Sequence, residues 1–138
     1  MVHVEQVLRK VLVDDSDVSG VVSTRVFPNY VPQGESLPAI VYNLDDTKPI
    51  AHLSGRSGVV ADFEVLCLAD GYGTAKDLAE KVRAAVAMYT GDVTPDSEAM
   101  QVDRILHVST DDVELNPLDG SGVPPSAVSV QIRIYYTV

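Results

Sequence analysis

Apolar residues return at Val4, Val7, Leu8, Val11 and Leu12, with Glu5, Gln6, Arg9 and Lys10 between them. That spacing puts the apolar side chains on one face of a helix, expected to end near Asp14. Residues 14–20, rich in Asp and Ser, read as a turn, at most a short helical one. Residues 21–27 then read as a short strand closed by Pro28, which disfavours helix before it. Pro32, Gly34 and Pro38 make residues 29–38 an extended loop, not a helix.

Ala39-Ile40-Val41-Tyr42-Asn43-Leu44 is strongly strand-forming, and a polar loop is expected from 45 to 58. Across 59–69, Ala61, Phe63, Val65 and Cys67 share one face while Asp62 and Glu64 take the other. Residues 70–74 break the strand and offer Thr74 as an N-cap, with Asp77 three residues on. Ala75, Leu78, Ala79, Val82, Ala85, Val86 and Tyr89 then form the stripe of a second helix, stopped by Gly91. Val102, Val108 and either Ile105 or Leu106 support a strand of open register within 100–115. Residues 116–126 read as a Pro/Gly loop. The clearest pattern is the last: Val128, Val130, Ile132, Ile134, Tyr136 and Val138 alternate with Ser129, Gln131, Arg133, Tyr135 and Thr137.

The order helix, short strand, strand, strand, helix, strand, strand predicts a single α+β domain over 1–138. Its expected form is a mostly antiparallel sheet of about five strands with two helices packed on one face. At 138 residues, 46% of them hydrophobic, the chain can bury a core without disulfides or metal. No apolar run approaches the roughly 20 residues of a membrane span, and no signal peptide is expected at the start.

Ten basic and twenty acidic residues give a net charge of −10, which opposes the phosphate contacts that supply most non-specific nucleic-acid affinity. Lys and Arg are scattered singly except for Arg9-Lys10, so sequence-specific DNA or RNA binding is not expected. Cys67 is the single cysteine; flanked by Val65, Leu66 and Leu68, it reads as a buried strand thiol rather than a nucleophile.

Candidate chemistry fares poorly. Gly71-Tyr72-Gly73-Thr74 sits where a phosphate loop would, yet lacks the third glycine or the Gly-Lys-Ser/Thr such loops need, and Asp70 and Asp77 would repel an anion. His3, His52 and His107 share no metal-ligand spacing. The pairs Asp14-Asp15, Asp45-Asp46 and Asp111-Asp112 fall at element ends, and neighbours on a strand point to opposite faces. Ser54-Gly55-Arg56-Ser57-Gly58 lacks a nucleophile elbow and reads as a hairpin tip. No cofactor, metal or catalytic residue is expected. With Lys48, His52 and Arg56, residues 48–58 form the least acidic exposed loop. That loop, loop 116–125 and the wet residues Gln131, Arg133 and Tyr135 are the candidate contact surfaces.

Three runs in order carry a family likeness: Arg25-Val26-Phe27-Pro28, Val31-Pro32-Gln33-Gly34, and Leu37-Pro38-Ala39-Ile40-Val41-Tyr42. They resemble the tail-completion proteins of long-tailed bacteriophages, and the later helix and alternating terminal strand extend the likeness over most of the chain. The resemblance implies a structural virion protein, not an enzyme: a tail terminator whose copies form a six-fold ring. The ring would cap the tail tube and join it to the head. Implied partners are other copies of the chain, the tail tube protein and the head–tail connector. The implied location is the head-proximal end of the tail, after synthesis in the host cytoplasm. A neck or head-completion adaptor is the alternative within this class. From another class, a ligand-binding domain or enzyme would show a deep pocket lined by Tyr42, His52 or Tyr72 with shifted carboxylates.

Overall fold

The computed structural model describes residues 3–50, 58–114 and 125–137. Helix α1 spans Val4–Asp14 and buries Val4, Val7, Leu8, Val11 and Leu12, the stripe its sequence marks out. Its first turn is closed by Gln6, whose Oε1 accepts the His3 backbone N–H at 2.8 Å. Asp15 then caps a second helix, α2 (Ser16–Val22), by accepting the N–H groups of Asp17 and Val18 at 3.0 Å each.

Strand β1 (Val26–Pro28) is followed by the 29–38 segment and by β2 (Ala39–Ile50). After it come β3 (Gly58–Ala69) and helix α3 (Tyr72–Val86). Strand β4 is short (Gly91–Val93), and β5 (Met100–Val113) and β6 (Ser126–Thr137) are long.

These strands form one six-stranded, curled sheet in the order β1-β2-β3-β6-β5-β4. It is a mixed sheet: β1 runs parallel to β2, and the remaining pairs are antiparallel. The expected five-stranded, mostly antiparallel sheet with two helices is therefore corrected to six strands, mixed, with three helices. Each difference has a local cause. The turn expected at 14–20 becomes α2 because the Asp15 carboxylate supplies the partners that a seven-residue helix lacks. Gly91–Val93 is too short to show a period, and strand status comes from its pairing with Met100–Val102. Direction in β1 is set by how 29–38 returns across the sheet, which three residues cannot encode.

Other boundaries move too. The loop expected at 45–58 is strand up to Ile50, continued past a bulge between Leu44 and Asp46 by pairing with β3. Gly71, not Thr74, is the N-cap of α3, and the helix ends at Val86, before Tyr89. In β5 the register is set by bulges at Val102/Arg104 and His107/Ser109, and Ile105 rather than Leu106 is buried.

One face of the sheet carries Tyr42, Ala61, Phe63, Val65, Cys67, Val128, Val130, Ile132 and Ile134, and all three helices share its core. Burial of such side chains is the main stabilising term, about 1.5–3 kcal/mol each. On the opposite face a smaller cluster of Val41, Leu68 and Ala127 is covered by Val31 and Leu37 of the 29–38 segment. Arg25 fastens that cover, donating from Nε to the Pro38 carbonyl (3.0 Å) and from Nη2 to that of Val21 (3.3 Å). Arg9 similarly ties α1 to the carbonyls of Val26 and Thr24.

Candidate assembly surface

Beyond the covered cluster, the face of the sheet turned away from the helices is polar, and register places its residues in cross-strand rows. One row is Asn43, Glu64, Gln131 and Ser109; the next is Asp46, Asp62, Arg133 and Leu106; a third is Lys48, Val60, Tyr135 and Arg104. Because β6 lies between β3 and β5, its alternate residues Gln131, Arg133 and Tyr135 occupy the middle of this face.

Each of the three has a partner. The Gln131 amide donates to Glu64 Oε2 and to Ser129 Oγ, both at 3.3 Å, and the Ser129 hydroxyl donates to the same Glu64 oxygen at 3.2 Å. That network explains why Ser129, on the wet side of the alternation, is buried. Arg133 grips Asp62 through Nε (2.7 Å) and Nη2 (3.4 Å). The hydrogen bonds to Asp62 raise the guanidinium further above its already high ordinary value. Tyr135 lies beneath Arg104, whose guanidinium carbon is 5.5 Å from the ring centre.

Lys48 is on the same face, two strands from Tyr135, and pairs loosely with Asp46 at 3.4 Å. The structure thus brings Lys48, Gln131, Arg133 and Tyr135 onto one surface. His52 and Arg56 lie outside the described residues, as does most of the loop at 116–125. Reading the sequence alone missed Arg104 and Asp46, because their placement depends on the bulges in β5 and β2.

Acidic residues concentrate on the β2–β3 side of this face. Asp45, left over at the β2 bulge, has its carboxyl raised above the ordinary range by loss of hydration, then by the neighbouring charges of Glu64 and Asp62. Asp112, at the far end of β5, accepts from the Tyr72 hydroxyl at 3.0 Å and from Lys76 at 3.5 Å.

Tyr42 borders a depression of about 370 Å³ with Arg9, Lys10 and Asp14, and burial lifts its phenol above the ordinary value. Tyr72 borders one of about 600 Å³ with Asp112 and Glu114. In the first, Lys10 pairs with Asp14 at 2.9 Å; in the second, the Tyr72 hydroxyl is held by Asp112. His107 Nε2 lies 2.7 Å from Thr110 Oγ1 on the same strand. Burial pushes the Cys67 thiol up to about 12. No cluster of His, Cys, Asp and Glu among the described residues could hold a metal ion, and none of the described helices is long and apolar enough to cross a membrane.

Comparison with known proteins places this surface in context. No curated protein sequence matches the chain. Among solved structures, a chain from the "Virion of native gene transfer agent (GTA) particle" matches with a TM-score of 0.67 at 18% identity, covering 96% of this chain and 92% of its own. At that identity the likeness speaks for the fold. The model of the family "Tail completion protein gp17" matches residues 6–115, which contain all three sequence runs noted above. The chain belongs to the tail completion protein gp17 family, a family of structural virion proteins.

Proposed function

We propose that the chain is a tail terminator: copies associate into a six-membered ring that caps the tail tube and joins the tail to the head connector. The observation that carries this reading is the family match across residues 6–115. The architecture supports it, since a ring subunit needs a rigid sheet, exposed strand edges and a polar contact face rather than a convergent catalytic site. In this reading the chain is not an enzyme, and it works at the head-proximal end of the tail. The polar face bearing Gln131, Arg133, Tyr135 and Lys48 is a contact surface for tail tube or connector.

The net charge of −10 suits a passage for DNA, because like charge at close range discourages sticking. The test is electron microscopy of lysates after deletion of this gene from the phage or prophage that carries it. Headless tails, often of abnormal length, beside filled but tailless heads are expected. Tails of regular length beside heads that have lost DNA would move the chain to the head side of the neck. Normal virions in normal numbers would overturn the structural role.

A further inference from the structure

The sheet ends on two open edges of equal extent. Strand β1 reaches β2 only at Ile40, Val41 and Tyr42, so residues 43–50 have no strand beyond them among the described residues. On the other side β4 reaches β5 only at Met100, Gln101 and Val102. The backbone exchange of Ile105 with Met88 and Tyr89, at 3.0 and 3.2 Å, closes the covered part, and residues 106–113 lie open among the described residues. Along such edges alternate N–H and C=O groups point outward unpaired, a template for another strand. Each edge also exposes an aliphatic side chain beside its bulge: Leu44, 40% exposed, and Val108, 57% exposed.

Direction and economy of contacts say how the edges meet. From β2 through β3 and β6 to β5 every neighbour is antiparallel, so β2 and β5 run in opposite senses. A β5 edge laid against the β2 edge of another copy therefore continues the sheet as one more antiparallel pair. Joining β2 to β2 would leave both β5 edges open. Only the head-to-tail contact uses both edges with a single repeated interface, the kind that closes into a ring. The bulges and Pro49 on these edges limit open-ended addition of strands. Asp45 on one edge and Asp111 on the other, with Asp46 and Asp112 only loosely paired to Lys48 and Lys76, hold free copies apart until salt screens their repulsion.

We propose that the open edge of β2 in one copy pairs antiparallel with the open edge of β5 in the next, so that the sheets run on from subunit to subunit. The contact rests on the ring reading and names its interface. Leu44→Lys and Val108→Lys each place a charge on one edge at an exposed position, so both variants keep the parent melting temperature at low salt and low concentration, where the parent too is monomeric. Native mass spectrometry at high salt and the highest soluble concentration should show a closed oligomer for the parent and monomer for each variant alone. An equimolar mixture of the two should form a heterodimer, because each retains one intact edge, and lowering the salt should weaken the parent oligomer. A variant that keeps the oligomer or forms a homodimer by itself overturns the edge pairing while leaving the ring, and so does a mixture that stays monomeric. A parent that is monomeric throughout overturns the ring reading together with its interface.

Discussion

Arg25 shows how a residue that looks like part of a recognition motif serves the fold. Its guanidinium reaches two backbone carbonyls, those of Pro38 and Val21, and so joins the two halves of the sequence run that carries the family likeness. Arg25→Ala should cost about 1.5–3 kcal/mol, the usual range for hydrogen bonds made by a charged group. Chemical denaturation checks this, and Arg25→Lys should recover little, since a single ammonium cannot span both carbonyls. Cys67 makes the opposite point, a reactive residue type silenced by its place. With the thiol pushed up to about 12 by burial, only about one in ten thousand is ionised at pH 8. A thiol-specific reagent should therefore modify the native protein no faster than it unfolds; rapid modification would show that the thiol is reachable.

At the scale of elements, bulges and caps decide what periodicity cannot. The bulge in β2 leaves Asp45 between two paired stretches, near Glu64 and Asp62. Its folded-state carboxyl is raised, so the folded chain binds the proton more tightly than the unfolded one. The resulting penalty is absent below the unfolded value of about 4 and grows as pH rises through the folded value. Asp45→Asn should consequently raise the melting temperature slightly at pH 7 and leave it unchanged at pH 3; a loss at pH 7 would mean that the carboxylate makes a favourable contact. The same elements show what was legible in advance. The faces of α1, β3 and β6 could be read directly because burial on one side imposes a period of 3.6 or 2. Strand status for residues 45–50 could not, because that polar stretch is held by β3 rather than by its own composition.

For the whole molecule, the excess of acids matters more than any one of them. If copies surround a DNA passage, reversing the acids on one exposed surface at a time to Lys should slow genome ejection for the set that faces the passage. Ejection assays on assembled particles identify that set, and unchanged ejection for every set would remove the link between charge and passage. Of the expected contact residues, Lys48, Gln131, Arg133 and Tyr135 lie on one face. The shared face of the last three was legible from their alternation, but that Lys48 joins them was hidden, since it depends on β3 pairing with both β2 and β6.

The sequence by itself determined the two long helices, the alternation of β3 and β6, the inert setting of Cys67 and the family likeness. All of these rest on local spacing or on short runs of residues. The tertiary structure alone decided that the last strand enters the middle of the sheet, that β1 runs parallel to β2, and that β2 and β5 present open edges. Those outcomes depend on which distant segments meet, and the hydrogen bonds that join strands are made by the backbone, which is nearly the same at every residue and leaves no mark in the pattern of side chains.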